Sequence, residues 1–448
     1  MKEFSLKFNE LKQCQTFREI NDCLPISFYG HVGKSVLTFL LLMPIVIMSL
    51  LPFLTNNLNM LMYVFVLLVG DIGVVLLIWY SCFLRKKSAF LKRFNHLALL
   101  LMVSWMLIST LINASQNVVW LGDRYRHEGF FTYLAYVGIY GLSILLFNES
   151  YRKKLLYLLV SVSSVLCILT ILEFNGFGIP FFASDKAGYS AIFHQFNHFG
   201  YYLLMSGMCA AGLFVVDKNR WRKWFAISSF SIIIVTLIIN DTFGCYLAMI
   251  AGLVFLPFAF MLAKKNLKLN YFIPLLLFVV LTLGMNLITG TVKSNMSALS
   301  TDITKIVTQD ESSGSAGTGR WVLWINAVEF IKEKPLFGHG LDNLGKLYYP
   351  LGVGTDRPHN EYLQHAAHLG IPALIFYLCS LASTFINAFK QRRNLSSTTL
   401  VSLCVVAAYL ISACFGNTMY YTTPYFVMFL GMSTKIGKSD SLEEELDK

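Results

Sequence analysis

The chain has 448 residues, of which 56% are hydrophobic and 14% charged, with a formal net charge of +11 and a mean hydropathy of +0.59. The apolar residues come in long blocks, not in amphipathic stripes, which excludes a water-soluble globular domain. Nor does the positive charge point to nucleic acid: Lys and Arg sit in short clusters between the blocks, as the positive-inside rule describes.

In chain order, a polar tail over 1–35 comes first, too polar for a signal peptide. Blocks long enough to cross ~30 Å of hydrocarbon follow near 36–54, 58–84, 94–112, 130–148, 155–174, 193–216, 224–240, 243–263, 271–290, 361–389, 398–416 and 418–434. The last is short and carries Pro424. Basic clusters precede the first block (Lys2, Lys7, Lys12, Arg18, Lys34) and recur after every second one. They are Arg85-Lys86-Lys87 with Lys92-Arg93, Arg152-Lys153-Lys154, Lys218 to Lys223, Lys264-Lys265 with Lys268, and Lys390 with Arg392-Arg393. The tail over 435–448 adds Lys435, Lys438 and Lys448. The intervening short loops hold only Arg124, Arg126 and Lys186. The expected fold is therefore all-α and polytopic, with about twelve spans across 36–434 and both ends cytoplasmic.

Asp71 is the one acidic residue at mid-span. It reads as a proton or ion site, or as a neutral or paired side chain facing the bundle interior. Of the nine cysteines, two lie in the N-terminal tail and the rest in apolar blocks, so no disulfide framework is expected.

Residues 291–360 form the long loop, expected outside between spans nine and ten. It opens on a polar stretch, and Gln309 to Gly319 reads as a flexible Gly/Ser-rich segment. A helix is expected from Arg320 until Pro335 ends it, with Trp321, Trp324, Val328 and Ile331 on one face and Glu329, Lys332 and Glu333 on the other. A Trp-rich amphipathic helix of this kind lies along the membrane interface. Beyond it come Gly338-His339-Gly340, Tyr348-Tyr349 and Arg357-Pro358-His359-Asn360. An Arg fork pairs with two phosphate oxygens at once, and His takes a proton from a hydroxyl near neutral pH. The loop therefore reads as a site for an anionic lipid-linked or sugar substrate, set against an ordinary loop with interface anchors.

Two stretches carry a resemblance. The first runs from Gly319-Arg320-Trp321 through Trp324 to Pro335-Leu336-Phe337-Gly338-His339-Gly340. The second is His359-Asn360, nine residues, then Gly370-Ile371-Pro372-Ala373. They resemble the O-antigen ligase family, whose pattern ends in a second Gly where Ala373 stands here. Tyr125 to Gly129 and Phe196-Asn197-His198 resemble family positions more weakly. The specific motifs cover roughly 195–375, and the span layout extends the likeness to the whole chain.

The resemblance implies a multi-pass protein of the bacterial cytoplasmic membrane. Such a protein passes a glycan from an undecaprenyl diphosphate carrier to an acceptor hydroxyl on a glycan, lipid or protein, by ligation or polymerisation. Anomeric configuration inverts, and neither a metal nor another cofactor is expected. Arg320 would hold the diphosphate, and His359 would position or deprotonate the acceptor with Asn360 beside it. Where family members carry Ser-Arg-Gly, this chain reads Asp241-Thr242-Phe243-Gly244, and Arg126 is the first candidate to replace the missing cation.

Each candidate also has a structural reading. Arg320 can anchor to lipid headgroups, and His359 can be a helix-start polar residue. Arg126 and Glu128 can form an ion pair, while Asn197 and His198 can serve as caps. Arg357 is a further substrate-binding candidate. Glu361, His365 and His368 share a helix face, but the tighter HExxH signature of zinc helices is missing. Two other functions fit twelve spans, a secondary transporter and a sensor or assembly scaffold. The first would show its long connection between spans six and seven, and the tails are too short to hold a signalling domain.

Overall fold

The computed structural model describes residues 14, 16, 19, 26–54, 58–83, 93–145, 148–180, 182, 184–185, 188–193, 195–264, 268–308, 316–317 and 319–434. Lys2, Lys7, Lys12, Arg18, Arg85 to Lys87, Lys92, Lys186, Lys265, the 309–315 stretch and the tail from Lys435 lie outside them.

The chain is a polytopic helical membrane protein. Its helices are α1 (Ile26–Leu54), α2 (Leu58–Phe83), α3 (Phe94–Ile112), α4 (Phe130–Leu145), α5 (Glu149–Phe174), α6 (Phe196–Val216), α7 (Arg220–Asn240) and α8 (Phe243–Lys264). They continue with α9 (Ile273–Thr289), α10 (Thr291–Val307), α11 (Arg320–Glu333), α12 (Glu361–Leu369), α13 (Ile371–Lys390), α14 (Ser397–Ser412) and α15 (Thr423–Met432). Between α5 and α6 a small antiparallel hairpin pairs Ser184 with Tyr189 and Asp185 with Gly188.

Among the described residues, nine helices are long and apolar enough to cross a membrane: α1, α2, α3, α5, α6, α7, α8, α13 and α14. The other three expected spans behave differently. α9 continues into α10 through a 93° bend at Gly290, so the polar start of the loop is itself a helix. α4 has 16 residues and α15 only 10, which at 1.5 Å per residue reach about 24 and 15 Å. Both are almost wholly buried, so they fill the middle of the bundle. Expected span ten is also broken. Gly370 (φ +89°) separates the nine-residue α12 from α13, and only Ile371–Lys390 is a spanning helix.

α6 is the central helix, with 94% of its apolar stretch buried. It packs against α5, α7, α8 and α14, while α2 and α15 flank α4. The α2–α4 contact is so close that a Cβ on Gly138 would stand 2.0 Å from the Gly70 carbonyl oxygen. Small residues permit such backbone approach where lipid supplies no hydrophobic drive. At the opposite end, buried Arg152 donates to the Ser143 carbonyl at 2.6 Å and the Met432 carbonyl at 3.1 Å. One cation thus serves the negative ends of α4 and α15 together.

Two expectations are corrected. Asp71 is exposed on the outer face of α2, among Leu68, Ile72 and Val75, and not in the bundle interior. The Arg320 helix has the expected extent, but it packs on protein, with Trp324 and Ile331 of the expected face at the edge of the contact. Leu323, Ala327 and Phe330 are buried, and the first and last pack with Leu344, Tyr348 and Ala367. Val328 is exposed. Helical spacing puts the Trp residues on a face expected at the membrane interface, but the helix takes its register from the protein surface it packs on.

Candidate functional site

The signature around Pro335 is architectural. Pro335 ends α11, and the turn after it closes on the C-terminal end of α12. The His339 amide donates to the Ala367 carbonyl and the Gly340 amide to that of His368, both at 2.9 Å, while the Ile371 amide returns to Pro335 at 2.8 Å. A Cβ on Gly370 would lie 1.9 Å from the Leu336 oxygen. On α3, Trp105 Nε1 donates to the Leu336 and Leu369 carbonyls at 3.0 and 3.2 Å, and its ring stacks on Phe337. The glycines thus hold the C-terminal ends of α11 and α12 together; Arg320 opens the first helix and His359 precedes the second.

Asn360 is the N-cap of α12, and its Oδ1 accepts the Tyr362 and Leu363 amides at 3.1 Å each. That matches the role Ser, Thr, Asp and Asn play at helix starts. His359, just before it, holds a left-handed φ of +50°, a conformation a non-glycine residue keeps only when its surroundings impose it. The His359 Nδ1 lies 3.0 Å from Asn417 Nδ2, and Nε2 lies 3.3 Å from Thr355 Oγ1.

A charged frame surrounds this histidine. Arg126 grips Asp356 with Nε and Nη2, both at 2.9 Å. The alternative Arg126–Glu128 ion pair does not form. Arg357 is 1% exposed, pairs with Asp342 and donates to the Thr418 carbonyl at 3.2 Å. Asp342 in turn accepts the backbone amides of Asp123 and Glu128 at 2.7 and 3.1 Å. Arg357 therefore braces the loop from inside. Glu128 is buried and bonded by the Tyr136 hydroxyl. Burial pushes its carboxyl up to about 7, against the Tyr136 bond and the Arg357 charge.

The frame sets the charge on His359. Burial, then Arg320 and Arg126, push its imidazole down to about 3 against the pull of Asp356, so the ring is neutral at pH 7. Burial would raise the Asp356 carboxyl, but Arg357 and Arg126 hold it well below the usual range.

Arg320 stands apart from the other two arginines. Among the described residues it has no carboxylate partner. It lies within electrostatic reach of His359 and of Cys245 in the first turn of α8. Trp324 on the same helix meets Phe415 at 6.3 Å between ring centroids. A Cβ on Gly244 would touch Phe415 at 3.2 Å. The starts of α8 and α11, the 415–418 segment and His359 thus converge. The Asp241-Thr242 departure is engaged elsewhere: Asp241 accepts from Asn295 of α10 at 2.6 Å, and Thr242 donates to Asn240.

Other candidates sit further along. His198 is buried, with its ring 5.5 Å from that of Tyr421, and Asn197 is half-buried at the start of α6. Glu361, His365 and His368 are buried, and Glu361 accepts from Tyr377 and Tyr409 at 2.9 and 3.0 Å. Among the described residues no group of three or more His, Cys, Asp or Glu is arranged to hold a metal ion. Sequence reasoning missed Asp356, Asn417 and Thr418 as members of the site. The acid–base adjacency of Asp356-Arg357 was the one available signal.

Residues 228–378 match the family model for O-antigen ligase. This O-antigen ligase match runs from α7 into α13, so Arg320, Asp342, Asp356, Arg357 and His359 all fall inside it, while Arg126 and Asn417 fall outside. It supports a glycan-transfer, ligase-like function. A search of curated proteins found no match to the chain.

Proposed function

We propose that the protein transfers a glycan from an undecaprenyl diphosphate carrier to an acceptor hydroxyl at the outer face of the bacterial cytoplasmic membrane, as a ligase or polymerase. The observation that carries this reading is a half-buried Arg320 with no carboxylate partner among the described residues, beside a neutral His359. Arg126 and Arg357 are already matched by carboxylates, so Arg320 is the cation left for a phosphate oxygen pair.

Arg320 holds the diphosphate. His359 takes the proton of the acceptor hydroxyl as its oxygen bonds to the anomeric carbon. The bond from that carbon to the diphosphate breaks, and its electron pair leaves with the carrier. A single displacement from the opposite face inverts the configuration. The arriving anion also offsets the Arg320 charge that suppresses the imidazole, so donor binding makes His359 a stronger base.

Transfer of a lipid-linked glycan in membranes, with protein level checked by immunoblot, tests the reading. Arg320→Lys loses much of the activity and Arg320→Ala nearly all, because an ammonium cannot form two parallel bonds. His359→Ala loses about 10²- to 10⁴-fold while donor binding persists. Wild-type turnover in both alanine variants, at equal expression, overturns it.

A further inference from the structure

The segment between α14 and α15 presents an asparagine to the proposed base. Asn417 is 4% exposed, and its amide faces His359 Nδ1 at 3.0 Å. The segment is locked from three directions. Arg357 donates to the Thr418 carbonyl, Gln364 donates to Thr418 Oγ1 at 2.8 Å, and the Tyr133 hydroxyl meets the same Oγ1 at 2.9 Å. His359 is equally fixed, by its left-handed backbone and by Asn360 capping α12.

We propose that Asn417 is a positioning residue whose side-chain carbonyl accepts the Nδ1 proton of His359, so that the ring keeps Nε2 unprotonated for the acceptor hydroxyl. This rests on the reading of His359 as base. The two ring nitrogens are not equivalent here: Nδ1 is taken by a buried amide, whereas Nε2 has only the longer Thr355 contact. With the amide nitrogen toward Nδ1, the ring proton would have to sit on Nε2, and no lone pair would be left for the alcohol. A half-turn of the amide exchanges its ends and delivers Oδ1 to Nδ1–H without moving the backbone.

The test is the pH dependence of glycan transfer in purified protein. Asn417→Asp keeps the shape and adds a charge at Nδ1–H, so the acidic limb of kcat moves up by about one unit. Asn417→Leu lowers kcat by on the order of 10²-fold and leaves KM for the donor little changed. An acidic limb unmoved in Asn417→Asp, or kcat unchanged in Asn417→Leu, overturns the proposal. Should neither variant fold, the wild-type protein with ¹⁵N-labelled histidine decides. With His359 assigned by signal loss in His359→Asn, Nδ1 protonation supports the proposal and Nε2 protonation overturns it. Activity retained in His359→Ala would instead remove the base reading itself.

Discussion

Arg126 and Asp356 are 230 residues apart in sequence and joined by two parallel hydrogen bonds of 2.9 Å. The pair ties the segment before α4 to the segment before α12 and cancels one of the cations near His359. With Arg357 similarly matched by Asp342, the charges acting on the imidazole are three arginines set against Asp356.

Breaking that pair from either side moves His359 in opposite directions. Asp356→Asn removes the carboxylate that supports imidazolium, so the acidic limb of transfer shifts to lower pH. Weaker basicity then lowers kcat by about tenfold per pKa unit at most. Arg126→Ala removes an opposing cation, so the limb shifts to higher pH. Limbs moving the same way in both variants would show that the pair acts only by holding the loops together.

The wild-type protein should itself show two different acidic limbs. In the free state His359 is suppressed to about 3 by burial, Arg320 and Arg126. Its depressed value means that the base form is present at all higher pH and is lost only in strong acid. The limb of kcat/KM for the donor therefore lies well below the ordinary His value of about 6.5. If, as proposed, the donor's diphosphate offsets Arg320, protonation becomes easier, and the limb of kcat lies at higher pH. Identical limbs would mean that the donor anion does not bind near the imidazole.

Gly370 and Ala373 look alike as signature positions but differ physically. Gly370→Ala adds a Cβ 1.9 Å from the Leu336 oxygen at a φ of +89°. The cost of such backbone conflict is roughly 3 kcal/mol or more. Ala373→Gly, inside helix α13, costs only about 0.5–1 kcal/mol. Thermal unfolding in detergent should show the first variant poorly folded and the second close to wild type. A well-folded Gly370→Ala would dissolve the proposed clamp between the Pro335 turn and α12.

The membrane class was legible because hydrocarbon demands long apolar blocks, and Arg320 and His359 were legible as motif members. Crossing lengths were not: α4 and α15 are apolar throughout, and only packing against α2 and α6 shows that they are interior and short. The Trp-rich face of α11 suggested a helix lying along the membrane interface, whereas Leu323 and Phe330 pack against Leu344 and Tyr348. Asp356 and Asn417 look like ordinary inter-block polarity. Their roles depend on partners 230 and 58 residues away in sequence, which no local pattern encodes.

α4 and α15 are tied at both ends, by Tyr133 to Thr418 at one and by Arg152 across both carbonyl termini at the other. They form a single wedge that cannot slide on itself without giving up buried polar contacts. Since Asn417 and Thr418 sit at the head of that wedge, the wall behind His359 is stiff. Any yielding needed to admit a bulky acceptor must come from less buried parts of the chain. α10, for one, has no buried residue and is tethered by Asn295 to Asp241 and by Asp302 to the Gly317 amide.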